Sequence, residues 1–212
     1  MESLRSTVTR TLSAHGLTVM RGRDTVVENL DWQATAGGIN WVVGENGSGK
    51  STLLRTLAGR LRPVAGDVRL DPALSRGRAF VWYHPHMQPP DETRVADWAR
   101  LVQVLVPVGV PPSLAPRLRP RQRFGEASTG ERKRLLLEAL LRLTAPVYLL
   151  DEPLEHLSPE GKARLTERLT ILARDAVVVV ATNQGAVTET AGAFGSRVLN
   201  LLGGGAWSCG EA

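Results

Sequence analysis

The sequence predicts an α/β protein with a mixed sheet core, and three observations lead to that fold class. Strand-like and helical patterns alternate along most of the chain, as they do where strands and helices form layers. A glycine-rich loop at residues 44–51 lies between a buried strand pattern and a helical one. An apolar run at residues 147–150 ends in two acidic residues, and the carboxyl ends of such strands are where α/β proteins bind ligands.

The first half of the chain supplies mostly short strands. One helix is expected from near Lys50 to about Leu61, where Pro63 stops it because proline cannot continue a helix. The strands predicted around this helix lie at residues 26–36, 39–43, 67–70 and 79–83.

Residues 85–125 differ from the rest of the chain in composition. They hold eight prolines around one predicted helix at residues 95–105, which indicates an insertion rather than a continuation of the sheet. We therefore expect a single domain over residues 1–212, with a core of 1–85 and 126–212 and a small inserted helical subdomain at about 86–125.

The second half returns to regular alternation. Helical patterns cover residues 131–143 and the amphipathic stretch 159–174. Fully apolar runs at residues 147–150 and 177–181 predict buried strands. Residues 197–202 and 206–208 are separated by three glycines, which predicts a closing hairpin.

Composition excludes several classes of protein. The chain has 212 residues, of which 42% are hydrophobic and 22% charged, so it can bury a core and is not a disordered or disulfide-scaffold protein. No apolar run approaches the ~20 residues of a spanning helix, and Cys209 is the single cysteine. We expect a soluble cytoplasmic protein, or one attached to a membrane only through a partner. The net charge of +5 fits either an arginine-rich coding bias or an anionic partner.

Residues 44–51 (the phosphate loop) read G-E-N-G-S-G-K-S, which fits the pattern G-x-x-x-x-G-K-[ST]. Glycines let the backbone direct its N–H groups at phosphate oxygens, and the following helix adds the positive end of its dipole. We expect Lys50 to contact the β- and γ-phosphates of a nucleotide and the Ser51 hydroxyl to bind Mg²⁺. The expected nucleotide contacts are Gly44, Glu45, Asn46, Gly47, Ser48, Gly49, Lys50, Ser51 and Thr52.

The acidic pair follows the predicted strand at residues 147–150. Asp151 is placed to hold Mg²⁺ through water, and Glu152 to orient or deprotonate the attacking water. Lys50 and Glu152 are therefore the first catalytic candidates.

Residues 127–134 (the signature segment) read A-S-T-G-E-R-K-R and precede a leucine-rich helix. This segment resembles the L-S-G-G-Q signature of ABC ATPases, and the asparagine in the phosphate loop is also typical of them. The order of phosphate loop, proline-rich insertion, signature and D-E-P matches that family over essentially the whole chain. The resemblance implies the P-loop NTPase fold of ABC ATPases, with a mixed sheet core, an N-terminal antiparallel β part and a small inserted helical subdomain.

The resemblance implies the ATP-binding and ATP-hydrolysing subunit of a membrane transporter. It also implies a head-to-tail dimer, of like or unlike chains, in which ATP lies between the phosphate loop of one protomer and Ser128, Thr129, Gly130 and Glu131 of the other. Separate multi-span transmembrane subunits would be the further partners, which places the chain on the inner face of the cell membrane. Nucleic acid is not expected, because the chain has neither a coiled-coil insertion nor a second fused domain.

Four positions depart from the family pattern. Asn183 stands where a switch histidine is usual, and asparagine cannot carry a proton. His86, by the simplest alignment, replaces a glutamine and could contact Mg²⁺-bound water, with His84 as the alternative. Ser158 replaces an aspartate, and Arg21 stands where an aromatic residue stacks on adenine.

The short chain, the histidine at the glutamine position and the T-N-Q run resemble the small ATP-binding subunits of haem exporters in cytochrome c biogenesis. Two alternatives stay open: a soluble ABC ATPase acting as an assembly or regulatory factor, and a slow or non-hydrolysing partner in a heterodimer. The basic residues near the signature could face solvent, ATP phosphates or an acidic partner surface. They are Arg117, Arg119, Arg121, Arg123, Arg132, Lys133 and Arg134.

Overall fold

The computed structural model describes residues 10–71, 80–98, 121–183 and 197–211. The first part of the chain forms β1 (Thr11–Arg21), β2 (Asp24–Thr35), β3 (Ile39–Gly44), α1 (Lys50–Leu57), β4 (Ala65–Asp71) and β5 (Phe80–Tyr83). The second part forms α2 (Thr129–Leu140), β6 (Val147–Asp151), α3 (Pro159–Ala173), β7 (Val177–Thr182), β8 (Arg197–Gly203) and β9 (Ala206–Glu211). Within these ranges no helix has the length and apolar character needed to cross a bilayer.

Two sheets make up the framework. A three-stranded antiparallel sheet has the order β2-β1-β4, and a six-stranded sheet has the order β5-β6-β7-β3-β8-β9. The first five strands of the larger sheet are parallel, and β9 returns antiparallel to β8. The predicted α/β class, mixed sheet, N-terminal antiparallel part and closing hairpin are confirmed.

The central strands of the larger sheet are apolar because both faces are covered. Every residue of β3, β6 and β7 is buried. Leu149 and Val179 pack toward α1 and the antiparallel sheet, whereas Leu150 and Val180 pack toward α2 and α3. Alternation along the strands therefore divides the core into two layers.

The predicted helix after the phosphate loop is shorter than expected. It ends at Leu57 rather than about Leu61, because Gly59 adopts a left-handed φ of +68° and its N–H donates to the carbonyl of Thr56 at 2.9 Å. A glycine in this conformation commonly ends a helix. Pro63 is therefore not the residue that stops it.

The predicted insertion is described only at its two ends. Residues 95–98 are helical, as expected, and the rest of the predicted helix at 95–105 lies outside the described residues. Arg94 and Arg123 form an antiparallel bridge that brings the two ends together. Residue 79, at the start of the predicted strand 79–83, also lies outside the described residues.

Candidate functional site

The phosphate loop joins β3 to α1, and two of its glycines have no room for a side chain. A Cβ on Gly44 would lie 2.5 Å from Ser48 Oγ and 2.9 Å from the carbonyl oxygen of Leu201. Gly49 has φ +102°, and a Cβ there would lie 2.3 Å from Cγ1 of Val26. The loop backbone therefore packs so closely against its neighbours that only glycine fits at these two positions. This tight turn directs the start of α1 toward the site.

Lys50 is the centre of the site. Its side chain is buried, and its Nζ donates to the carbonyls of Gly44 at 2.8 Å and Glu45 at 3.1 Å. The same Nζ donates to Asn183 Oδ1 at 3.1 Å and lies 3.3 Å from Glu152 Oε1. One ammonium thus connects the phosphate loop with two residues that follow neighbouring strands.

The two acidic residues lie at the carboxyl end of β6. Asp151 is buried, and its Oδ1 has no hydrogen-bond partner among the described residues. Glu152 is half-buried and adopts a left-handed φ of +47°. Burial raises the pKa of the Glu152 carboxyl, and the charge and hydrogen bond of Lys50 partly offset that rise.

His84, the alternative to His86, is the histidine in contact with this edge. Its Nε2 lies 3.5 Å from Asp151 Oδ2 and 3.2 Å from Arg55 Nη2. His86 is exposed, and its backbone N–H donates to His84 Nδ1 at 3.2 Å. Burial lowers the pKa of His84 more than the Asp151 carboxylate raises it.

The order of strands in the sheet is the information that was missing when the family motif was aligned and the exposed His86 was favoured. Tyr83, the last residue of β5, pairs with Leu150 in the parallel register of β5 and β6. The residues that follow them, His84 and Asp151, therefore meet at the carboxyl edge of the sheet. The adjacency of β5 and β6 is the signal that could have selected His84. The alignment lacked it because residues 83 and 150 are distant in the chain.

The chemistry of the donors fits Mg²⁺. An unpaired buried carboxylate oxygen on Asp151 and the Ser51 hydroxyl at the start of α1 are hard oxygen ligands of the kind that this ion prefers. Ser48 Oγ is a second buried oxygen without a partner among the described residues. These oxygens would hold the ion and a phosphate at the end of the loop.

The signature segment forms a second group at the start of α2. Ser128 caps the helix: its Oγ accepts from the Glu131 N–H at 3.3 Å and donates to Glu131 Oε2 at 2.9 Å. The Ser128 N–H donates to the same carboxylate oxygen, which completes a capping box. Thr129 is exposed and Gly130 half-buried. A Cβ on Gly130 would lie 2.8 Å from the carbonyl oxygen of His156.

The basic residues of the signature segment are each paired with groups of this chain, and only Lys133 among them is buried. Arg132 donates to Asp91 and to the carbonyls of Ala127 and Gly125, each at 2.8–2.9 Å. Lys133 is buried, and Arg134 pairs with Glu138 at 3.1 Å on its own helix. These contacts favour structural roles over a surface that attracts anions. Arg121 and Arg123 are exposed, and Arg117 and Arg119 lie outside the described residues.

The remaining two departures have clear positions. Arg21 ends β1 with its side chain 51% exposed and lies 3.8 Å from Asp24 across the turn. Ser158 is the N-cap of α3, and its Oγ accepts from the N–H of Gly161 at 3.2 Å. Serine there is a good helix cap whether or not it also replaces an aspartate of the family pattern.

A glycine-rich loop that opens a helix, a lysine at its end and a strand ending in carboxylates together define a P-loop nucleotide-binding protein. The family model described as ABC transporter matches residues 27–155, which include the phosphate loop, the signature segment and the acidic pair. The chain belongs to the ABC transporter family. It is an ATPase, and it is the ATP-binding subunit of a transporter.

The relatives agree with this assignment, and a solved structure agrees with the fold. The chain is 33% identical over 192 residues to a cytochrome c biogenesis ATP-binding export protein CcmA from Cupriavidus pinatubonensis, covering 82% of this chain and 83% of that protein. It is 31% identical to the CcmA protein of Rhizobium meliloti, covering 91% and 98%. A solved ATP-binding subunit of an ABC transporter has the same fold, with a TM-score of 0.71, 21% identity and coverage of 93% and 89%.

Proposed function

We propose that the chain hydrolyses ATP in a head-to-tail dimer and so drives separate transmembrane subunits. The observation that carries the proposal is the meeting of three elements on Lys50, whose Nζ lies within 3.3 Å of the phosphate loop, Asn183 and Glu152. A cation at a helix start binds phosphate. A carboxylate beside that cation is placed to act on a water molecule attacking the γ-phosphate.

Each side chain then has a role in the reaction. Lys50 exchanges its present partners for the β- and γ-phosphates, and Glu152 orients the attacking water and takes its proton. Ser51 and Asp151 would hold Mg²⁺, which would neutralise phosphate charge. The His84 ring, beside Asp151, would then be placed to hydrogen-bond water at that site. This is the role first assigned to His86.

Asn183 is the residue that would make turnover slow. Its amide can donate a hydrogen bond to the γ-phosphate, but it can neither carry a proton nor become charged. Arg21 is proposed to stack on the adenine, since a guanidinium plane can do so without an aromatic ring. The heterodimer with an unlike ABC subunit stays within this proposal as the case in which the partner's site turns over faster.

The second half of each nucleotide site is proposed to come from the signature segment of the other protomer. The start of α2 offers the N-terminal end of a helix to a γ-phosphate, with Ser128 and Thr129 exposed there. The Ser128 hydroxyl now donates to Glu131, so it must rotate to serve a phosphate.

The proposed cargo rests on what the relatives are called. Two CcmA relatives, described as cytochrome c biogenesis ATP-binding export proteins, are similar over most of their length. We extend that role to this chain as haem or cytochrome c biogenesis export, at the inner face of the cell membrane. Separate multi-span subunits would carry the substrate.

The dimer is tested by light scattering with the variant Glu152→Gln, which preserves bound ATP. We expect a monomer without nucleotide and a dimer with Mg-ATP. Adding Ser128→Arg should keep the double variant monomeric, because a bulky cation at the start of α2 blocks the opposite protomer. Dimerisation of that double variant equal to that of Glu152→Gln would contradict the shared site.

The transporter half is tested separately, by affinity purification of the tagged chain from detergent-solubilised membranes. Multi-span proteins that stay bound through a high-salt wash are the expected result. A preparation containing nucleotide-dependent dimers and no membrane protein would favour the soluble assembly factor instead.

A further inference from the structure

Lys133 is a buried cation to which the proposed reaction assigns no role. It lies on α2, one turn after Gly130, and is 4% exposed. Its Nζ donates to the backbone carbonyl of Glu152, and to that of Glu155 at 2.8 Å. A buried ammonium is costly unless its hydrogen bonds are used. These two bonds attach α2 to residues 152–157 (the acidic loop).

The acidic loop needs such an attachment because its backbone is strained. Glu152 has φ +47° and His156 φ +60°, in a region that residues with a side chain rarely adopt. Strain of this kind persists only where several independent contacts fix the conformation. The N–H of Glu152 donates to the carbonyl of Ala181 at 2.9 Å. Lys133 donates to the carbonyl of Glu152 itself.

The conformation of Glu152 decides where its carboxylate lies. A residue in the left-handed region projects its side chain in a different direction from one that continues β6. In this conformation Oε1 lies 3.3 Å from Lys50 Nζ. If the carbonyl of Glu152 lost its donor, the backbone could relax toward an extended φ, and the carboxylate would leave the phosphate loop.

A packing role alone would not call for a lysine here. Burial lowers the pKa of Lys133 to about 8, although the carboxylates of Glu155, Glu152 and Asp151 raise it. An apolar side chain of similar length would fill the same space without that cost. The two carbonyls explain why a cation stands at this position.

We infer that Lys133 is a positioning residue that holds the strained backbone of Glu152, and with it the catalytic carboxylate, from the helix that carries the signature segment. This inference rests on the proposed role of Glu152. Since Gly130 packs against the carbonyl of His156, α2 contacts the acidic loop at two points. Movement of α2 would therefore reach Glu152 directly.

The test compares Lys133→Met, which keeps the length and removes the donors, with Lys162→Met on α3 as the matched control. We expect kcat of Lys133→Met to fall about tenfold or more, because a misplacement of about 1 Å is enough for such a loss. The Kd for ATP should not rise, because the hydrogen bonds of Lys133 go to the acidic loop and a displaced Glu152 carboxylate would no longer compete with ATP for Lys50. Lys133→Arg, which keeps charge and donors, should recover most of kcat.

The double variant Lys133→Met, Glu152→Gln shows whether Lys133 acts through Glu152. Its residual kcat should equal that of Glu152→Gln alone. A further loss in that background, a normal kcat for Lys133→Met, or a loss confined to KM would overturn the inference. If Lys133→Met does not fold, a folded Lys133→Arg decides: kcat near wild type supports the inference, and kcat as low as that of Glu152→Gln overturns it. Normal hydrolysis by Glu152→Gln itself would instead refute the proposed function.

Discussion

Replacing Glu152 with glutamine should tighten ATP binding while it abolishes most hydrolysis. The change keeps the shape of the side chain and removes one charge beside Lys50. Lys50 and Glu152 are 6% and 16% exposed and lie 3.3 Å apart, so the pair is shielded from water. ATP must take Lys50 away from this carboxylate before its phosphates can use it.

The size of the effect follows from that distance. At an effective dielectric constant of about 20, two unit charges 3.3 Å apart attract by about 5 kcal/mol. Most of this is offset, because the glutamine oxygen still accepts a hydrogen bond and the lysine regains other partners. A net gain of ~1–2 kcal/mol corresponds to about 5- to 30-fold tighter ATP binding. Loss of the general base should lower kcat by ~10²–10⁴.

The assay is a titration of ATP without turnover, by calorimetry or with a fluorescent analogue, together with steady-state hydrolysis. Glu155→Gln is the matched control, since it removes a nearby carboxylate that is 46% exposed and pairs with His156. The control should change Kd less than about twofold, because an exposed pair contributes little. Unchanged or weaker ATP binding by Glu152→Gln would refute the reasoning about Lys50, and unchanged kcat would refute the assignment of the base.

Three further predictions concern single positions. Gly49→Ala should lower the free energy of unfolding, measured in urea, more than Gly47→Ala does. Both glycines have positive φ, but only at Gly49 would a Cβ meet Val26, at 2.3 Å. Equal losses would contradict the packing argument. Asn183→His should raise kcat, by up to about 10² if the missing imidazole limits the rate, and an unchanged kcat would reject that limit. His84→Ala should reduce kcat more than His86→Ala, because only the ring of His84 lies against Asp151, at 3.5 Å; the reverse order in steady-state assays would restore His86.

Local patterns predicted much of the fold and the centre of the site. Three features depend only on a few neighbouring residues: the phosphate loop, the buried strands and the acidic end of β6. Hydrophobic periodicity and turn-forming residues therefore predict them directly. β1 (Thr11–Arg21) was expected only as part of an N-terminal antiparallel region, because its bulged pairing with β2 interrupts the strand alternation.

Features that depend on the arrangement of elements were harder to predict. His84 reaches Asp151 because β5 lies beside β6, which no local pattern indicates. The contacts of Arg132 with Asp91 and of Lys133 with the acidic loop could not be predicted, since a run of charges in sequence is usually a solvated surface. The left-handed φ of Glu152 is accompanied by a hydrogen bond that its N–H donates to Ala181 on β7 and one that its carbonyl accepts from Lys133 on α2, and both partners are distant in the chain.

The contacts of Lys50 link nucleotide binding to preparation of the site for reaction. Its ammonium now holds the Glu152 carboxylate and, through the amide oxygen, the side chain of Asn183, the two residues proposed to act on the attacking water and the γ-phosphate. A phosphate that takes Lys50 releases both groups at once, so neither is free before the substrate is in place. Glu152, once released, keeps its position only if its backbone is fixed independently of Lys50. The bonds from Lys133 and to Ala181 do that, and this is why the lysine on α2 matters most when ATP is bound.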